Sequence, residues 1–143
     1  MRAVVCGLSL LIPILVSSFA RADFYSPGDG SDGALTVTST KMVNVYTVIT
    51  SDADSGQDDL SVAMPDLFEV GDEVLVVRYA GVEAGRYELR HVAAKAGATI
   101  TLDEALAYDL AGSKTQLVRV PNFTDVTVMA GSKIVPRAFD GQI

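Results

Sequence analysis

The sequence predicts an all-β protein, and three observations support that fold class. Apolar and polar residues alternate with period two through most of the chain after residue 33, and β-branched residues occupy many of the apolar positions. Gly, Asp, Pro and Ser cluster at the breaks between these runs, as in Pro27–Gly30 and Ala130–Ser132. Only residues 103–110 could form a helical turn, and their short length favours a connector over a packed helix.

Nine short strands are expected in order along the chain. They cover residues 35–38, 43–49, 60–62, 73–79, 86–93, 99–102, 116–120, 124–129 and 133–135. Each run ends at a turn cluster such as Asp54-Ser55-Gly56 or Ala96-Gly97, which limits the strands to lengths typical of small β-domains.

Three successive strands are predicted to form an antiparallel meander. The first, 73–79, is apolar on both faces between Val74 and Val77 and is therefore expected to be central. In the second, 86–93, charged residues alternate with Tyr87, Leu89 and His91, which indicates a half-exposed strand. Loop 80–85 has hairpin length, and a turn at Gly97 leads to strand 99–102, so the three strands can pair in sequence.

The first 22 residues have the pattern of a secretory signal peptide. Arg2 supplies a positive charge, residues 4–16 form an apolar run, and Ala20-Arg21-Ala22 fits the small-x-small rule for cleavage. The run is shorter than the ~20 residues that a membrane-spanning helix needs, and no second such run follows. We therefore expect an exported product, extracellular, on the cell surface or in the periplasm, with no transmembrane segment in the mature chain.

Charge and cysteine content exclude several classes of function. The whole chain has a net charge of −7, and removal of Arg2 and Arg21 leaves 9 basic against 18 acidic residues, or −9. Such a surface repels phosphate groups, so no nucleic-acid partner is expected. The only cysteine, Cys6, lies in the predicted signal peptide, so the mature chain would have no disulfide, thiolate metal site or cysteine nucleophile.

A motif between residues 60 and 120 resembles a small β-module found in phage tail and bacterial surface proteins. It comprises DLFEVGDEVLV at 66–76, YELRHV at 87–92, ATITLD at 98–103 and LAY at 106–108. Phe68 and Val70 are expected to enter the core, Gly71 to permit a turn, and Asp72 to bond local amides.

The predicted domains are accordingly 1–22 signal peptide, 23–59 N-terminal strands with an acidic loop, 60–120 β-module and 121–143 C-terminal strands.

The segments that flank this module are similar to the opening of large secreted, adhesin-like bacterial proteins, notably myxobacterial and other deltaproteobacterial ones of unknown function. The similarity lies in ALTVT at 34–38, VRVPNFTDVTV at 118–128 and, in part, FDGQ at 139–142. It implies a β-module inserted into the start of a β-solenoid or β-sandwich-like segment. Residues 124–135 would then form the first rung of a truncated β-solenoid, with strand 35–38 alongside, and open strand edges would favour self-association.

The strongest cluster of metal-ligand residue types lies in the acidic loop. Asp52, Asp54, Asp58 and Asp59 surround a glycine turn, and hard carboxylate oxygens suit Ca²⁺. The spacing does not match an EF-hand, because the loop glycine is at position five and position twelve is Ala63. A calcium site and a solvated acidic loop therefore both remain open, and no other cofactor is indicated.

Other residues give weaker indications of chemistry. His91 is the only histidine and lacks a triad motif, so packing or surface exposure is its expected role. Asp72 with Glu73, or Asp103 with Glu104, would be the carboxylate pairs of a glycosidase if either pair faced a groove. Five tyrosines would suit stacking on carbohydrate, but they do not share one strand, which favours core packing.

The main hypothesis is an exported non-enzymatic structural or adhesion protein that binds a glycan or protein partner at the cell surface. One alternative is a fragment of an exported polysaccharide-active enzyme that uses paired carboxylates. Another is a calcium-stabilised β-module.

Overall fold

The computed structural model describes residues 28–137, and this part of the chain is all-β, as the sequence predicts. Two single 3₁₀ turns, Pro65–Leu67 and Gly112–Lys114, interrupt the strands. The ten strands are β1 (Gly33–Val37), β2 (Thr40–Met42), β3 (Tyr46–Val48), β4 (Asp59–Ser61), β5 (Glu73–Arg78), β6 (Tyr87–Ala96), β7 (Thr99–Leu102), β8 (Thr115–Arg119), β9 (Phe123–Val128) and β10 (Lys133–Val135).

Six strands form one antiparallel sheet in the order β3-β8-β5-β6-β7-β4. The sheet curls so that its two edge strands meet. Ile49, directly after β3, forms an antiparallel bridge with Val62, directly after β4. The Thr50 amide donates to the Ser61 carbonyl at 2.8 Å beside this bridge. The edge amides are thus paired within the chain, which removes a site for wrong association.

The meander β5-β6-β7 is confirmed, and it forms the middle of the sheet. Leu75 of β5 lies opposite Leu89 of β6 in the register. Strand β6 is half-exposed, as predicted, but its inner face carries Glu88 as well as Val92, while Tyr87 and Leu89 point outward. A charged residue therefore occupies an interior position, and apolar residues occupy exterior ones, in the same strand.

The core fills the inside of the curled sheet. Five of the six strands contribute to it directly, and Ile49 contributes from the position after β3, because period-two alternation directs one side chain in two inward. Its buried apolar residues are Ile49, Ala53, Leu60, Val62, Phe68, Val74, Val76, Val92, Ile100, Leu102, Leu106, Leu110 and Leu117.

The turn before β5 is confirmed in most of its parts. Phe68 is fully buried, Gly71 has a φ of 96° that favours glycine, and Asp72 accepts a hydrogen bond from the Glu69 amide at 2.8 Å. The prediction for Val70 is wrong, since this side chain is 61% exposed. The chain reverses between Glu69 and Asp72, and the reversal turns Val70 away from the core.

One further prediction of local structure is corrected. The expected strand 43–49 is too long, because only residues 46–48 form a strand, β3. Residues 43–45 connect it to β2, which lies before the predicted range and belongs to a different sheet. Residues 103–110 form a connector, as their length favours, and they contain no helical turn. The amides of Leu106 and Leu110 donate instead to the carbonyls of Gln57 and Ala53, both at 2.8 Å, so they are not available for helical hydrogen bonds.

The remaining four strands form two parallel pairs outside the curled sheet. Strand β1 pairs with β9, and β2 pairs with β10. Arg119 at the end of β8 links the sheet to the residue before β1, since its guanidinium bonds Asp72 at 2.8 Å and also contacts Asp32. Burial opposes the charged form of Arg119, but the hydrogen bonds and charges of the two aspartates outweigh it and raise the Arg119 pKa.

The predicted signal peptide, residues 1–22, lies outside the described residues, and export therefore stays a prediction. The proposed domain boundaries also stay predictions, although the sheet that contains module 60–120 takes in β3 as well. Residues 28–137 include no helix long and apolar enough to cross a bilayer.

Candidate functional site

A surface groove of about 450 Å³ lies between β6 and the segment that follows β7. A shallower depression of about 330 Å³ adjoins it and shares two of its residues, Tyr87 and Tyr108. The groove is lined by Tyr87, Glu88, Leu89, Arg90, His91, Asp103, Glu104, Ala107 and Tyr108. We refer to these nine residues as the tyrosine groove.

Two exposed aromatic rings mark the junction of the groove and the depression. Tyr87 is 53% exposed and Tyr108 is 44% exposed, which is high for large side chains that could have packed in a core. The guanidinium carbon of Arg86 lies 4.8 Å from the centroid of the Tyr108 ring, within cation–π range. Arg86 also forms a 2.8 Å ion pair with Glu83, which holds it beside the ring.

The position of Tyr108 depends on a carboxylate buried beneath it. Glu88 has a side chain only 4% exposed, and its oxygens accept hydrogen bonds from the amides of Ala107 at 3.0 Å and Tyr108 at 3.1 Å. Arg90 forms an ion pair with Glu88 and donates to the Ala105 carbonyl at 3.2 Å. This buried pair therefore binds residues 105–108 to β6 and fixes the backbone that carries the Tyr108 ring.

The other end of the groove holds a histidine and an aspartate. Asp103 accepts a hydrogen bond from the His91 amide at 2.8 Å, and its second oxygen lies 3.2 Å from His91 Nδ1. Burial raises the Asp103 pKa, but the hydrogen bonds from His91 outweigh it and the pKa is lowered overall. Both side chains are about half exposed, so they are accessible to a ligand in the groove.

The structure places the four aspartates of the acidic loop apart from this groove. Asp52 accepts a hydrogen bond from the Gly112 amide at 2.9 Å, where the backbones approach so closely that a Cβ on Gly112 would lie 2.3 Å from the Ser51 carbonyl oxygen. Asp59 accepts from the Thr101 hydroxyl at 2.6 Å. Within residues 28–137, no three His, Asp or Glu side chains form a group that could hold a metal ion.

The calcium hypothesis for Asp52, Asp54, Asp58 and Asp59 stays a prediction with a direct test. Calcium at 100 times its Kd would stabilise the fold by about 2.7 kcal/mol, because a ligand that binds only the folded state adds its binding free energy. The melting temperature should then be higher in calcium than in EDTA. An Asp54→Asn, Asp58→Asn double variant would lose that difference, and an unchanged melting temperature in the natural chain would remove the hypothesis.

The two carboxylate pairs suggested by the sequence have different locations. Asp72 and Glu73 lie outside the groove, where Asp72 bonds Arg119 and Glu73 accepts from the Asn122 side chain at 2.8 Å. Asp103 and Glu104 both line the groove. The structure thus adds Glu88, which the sequence did not single out, as a third carboxylate at that site.

The sequence did not predict the groove, because all five tyrosines were assigned together to core packing. Tyr46 is buried, as the core interpretation predicts, but Tyr87 and Tyr108 are exposed and line the same groove. Tyr25 lies outside the described residues. The available signal was Tyr87 itself, which alternates with charged residues in a strand predicted to be half-exposed. Nothing local indicates that Tyr108 approaches it.

No protein-family model matches the chain. No curated protein matches it either. Three solved structures with partial similarity are tailspikes of bacteriophages, one of them the tailspike of Acinetobacter baumannii bacteriophage AP22 in complex with A. baumannii capsular saccharide. That structure has 14% sequence identity and a TM-score of 0.46, over 68% of this chain and 22% of the tailspike.

The other two tailspikes come from Pseudomonas phages. The phi297 tailspike has 19% identity and a TM-score of 0.47, over 66% of this chain and 20% of its own. The LKA1 tailspike has 14% identity and a TM-score of 0.45, over 71% and 24%. This chain thus spans less than a quarter of each. No protein-family model and no curated protein supports the myxobacterial resemblance of the flanking segments.

Proposed function

We propose that this chain is an exported, non-enzymatic surface protein whose curled sheet binds an uncharged glycan in the tyrosine groove. The observation that carries the proposal is the convergence of Tyr87 and Tyr108. They are far apart in sequence and half exposed, and they line one groove together with hydrogen-bonding side chains. Exposed aromatic rings beside polar groups form a surface on which the apolar face of a sugar stacks while its hydroxyls bond.

The polar residues of the groove fit the hydroxyl groups of a sugar. Carboxylates accept hydrogen bonds from hydroxyls, and arginine or histidine donates to them. Asp103, Glu104 and His91 line the same groove as Tyr87. A glycan chain that stacks on Tyr87 and extends along the groove would therefore meet both acceptors and donors.

The charge of the groove favours uncharged sugars. Three carboxylates, Glu88, Asp103 and Glu104, line it against one arginine and one histidine. Arg90 is paired with Glu88, and Asp103, whose pKa is lowered, adds a negative charge at neutral pH. A uronate or another acidic sugar would meet repulsion there, and the net charge of −7 on the whole chain adds to it.

The hydrogen bonds that the groove carboxylates accept support a role in binding over one in glycan hydrolysis. A glycosidase needs one carboxylic acid with a raised pKa to protonate the leaving group, and a second carboxylate across the scissile bond. Hydrogen bonds lower the pKa of Asp103, which is the opposite shift. Glu88 holds two backbone amides and Arg90, so proton transfer at Glu88 would disturb the segment that carries Tyr108.

The proposal is tested by native affinity electrophoresis with soluble glycans in the gel. The neutral glycans would be mannan, xyloglucan and dextran, and the acidic ones alginate and polygalacturonate. We expect at least one neutral glycan to retard the protein, and a Tyr87→Ala, Tyr108→Ala double variant to weaken that binding at least tenfold. Loss of one stacked ring in a desolvated contact costs about 1–2 kcal/mol, which corresponds to roughly tenfold.

A matched control is Met64→Ala, which removes a 43% exposed apolar side chain outside the groove and should leave retardation unchanged. Failure of every neutral glycan to retard the protein would contradict the proposal, as would binding to acidic glycans alone. Release of reducing ends from a bound glycan would instead support the polysaccharide-active enzyme.

A further inference from the structure

Two aspartate–glycine pairs, Asp29-Gly30 and Asp32-Gly33, lie close together at the entrance to β1. In such a pair the glycine amide nitrogen can attack the carboxyl group of the preceding aspartate. Glycine favours this attack because it has no side chain to hinder the approach and adopts backbone conformations that other residues avoid. The two pairs have the same local chemistry, so only the tertiary structure can make them differ in reactivity.

Both reacting groups of Asp32-Gly33 are held by other residues. The Asp32 carboxylate contacts Arg119 and accepts a hydrogen bond from the Asn122 amide at 2.6 Å. Its side chain is only 16% exposed. The Gly33 amide donates to the Gly30 carbonyl at 2.9 Å. Attack of the Gly33 nitrogen on Asp32 would therefore require several of these bonds to break.

By contrast, Asp29-Gly30 combines an exposed carboxylate with an unbonded amide. The Asp29 carboxylate accepts a hydrogen bond from the Ser31 amide at 2.8 Å, which folds it back beside the Gly30 peptide group. Within residues 28–137, no group accepts a hydrogen bond from the Gly30 amide. The carboxyl carbon and the nitrogen that would attack it are thus held near each other with no competing bond on the nitrogen.

Two more aspartates in the described part of the chain precede small residues, and there the following amide is bonded. The Ala53 amide, after Asp52, donates to a distant backbone carbonyl at 3.0 Å. The Ser55 amide, after Asp54, donates to the Asp109 carboxylate at 2.8 Å. The first pair at the entrance to β1 is therefore the one with the least protection.

We infer that Asp29 converts spontaneously to isoaspartate in the folded protein. The Gly30 amide nitrogen forms a bond to Asp29 Cγ, and the amide proton leaves with the carboxyl hydroxyl group as water. Water then opens the cyclic succinimide. Addition at the side-chain carbonyl restores aspartate, whereas addition at the main-chain carbonyl leaves the backbone running through the side chain as isoaspartate. The sequence of steps is redox-neutral and leaves the mass of the chain unchanged.

The product would lengthen the backbone where it packs closely on β9. A Cβ on Gly28 would lie 2.4 Å from Asn122 Oδ1, and a Cβ on Gly30 would lie 2.7 Å from Thr124 Cγ2. The methylene group that isoaspartate adds lies between these two close approaches. Conversion of Asp29 is therefore expected to alter the contact between this segment and β9.

Incubation of the purified protein for several weeks at 37 °C and mildly acidic pH tests the inference. Electron-transfer fragmentation of its tryptic peptides distinguishes isoaspartate from aspartate and assigns it to a residue. We expect at least tenfold more isoaspartate at Asp29 than at Asp32. A synthetic peptide of residues 23–41, incubated in parallel, is the matched control, because without the fold the two pairs should react at similar rates.

Equal amounts of isoaspartate at Asp29 and Asp32 in the folded protein would overturn the inference, because the contacts of Asp32 would then give no protection. Absence of isoaspartate at Asp29 in the protein would also overturn it. Circular dichroism of the incubated protein before digestion would verify that the reaction took place in the folded chain.

Discussion

Replacement of Phe68 by alanine is expected to lower the free energy of unfolding by about 3–5 kcal/mol, the usual range for a fully buried phenylalanine. Phe68 has no exposed surface and is among the largest fully buried side chains. It packs inside the curled sheet with residues from both of its edges, Ile49 and Leu60. The cavity left by the ring would therefore destabilise the contact between the two sheet edges as well as the local turn.

Urea denaturation followed by circular dichroism would measure this loss. Leu67→Ala is the matched control, because Leu67 is the adjacent residue and its side chain is 42% exposed. We expect the control to cost below about 1 kcal/mol, since most of its apolar surface is already in water. Similar losses for the two variants would contradict the packing described for Phe68.

Replacement of Glu88 by alanine is expected to lower the free energy of unfolding by about 2–4 kcal/mol, because removal of one member of a buried ion pair leaves the other uncompensated. Arg90 would lose its carboxylate, and the amides of Ala107 and Tyr108 would lose their acceptor. The same variant should reduce glycan retardation, since the segment that carries Tyr108 would no longer be fixed to β6.

A double-mutant cycle with Arg90→Ala separates the pair from its surroundings. We expect the double variant to lose less stability than the sum of the single variants, because it leaves no unpaired guanidinium. Glu69→Ala is the control, since that glutamate is 81% exposed and should change stability by less than about 0.5 kcal/mol. Additive losses for Glu88 and Arg90 would show that the two groups do not interact.

Local patterns predicted the strands because each pattern reports a property of neighbouring residues. Strands β7 and β10 were predicted with their observed bounds, and β5 and β8 within one residue. The turn chemistry around Gly71 and Asp72 was also evident, since a positive φ and an Asp side-chain hydrogen bond are local requirements. The strand 43–49 was predicted too long and β2 was not predicted, because both strands depend on partners, β8 and β10, that lie far along the chain.

The candidate site could be predicted only in fragments. Asp103 and Glu104 were identified as a carboxylate pair, and Tyr87 as part of a half-exposed strand. The position of Glu88 could not be foreseen, because alternation gives the period of a strand without saying which face is inside. A charged side chain becomes an interior residue only when distant groups satisfy it, and here the backbone of residues 107–108 does so.

The sequence by itself determined an all-β chain of short strands, a central meander, an acidic overall charge and a secretory pattern at its start. The tertiary structure alone decided that the sheet curls until its edges meet, that Tyr87 and Tyr108 line one groove, and that β9 pairs with the distant strand β1. The physical reason is the separation along the sequence of the residues that interact. Alternation and turn formation are set by residues a few positions apart, whereas strand order and burial follow from hydrogen bonds and packing between segments separated by tens of residues.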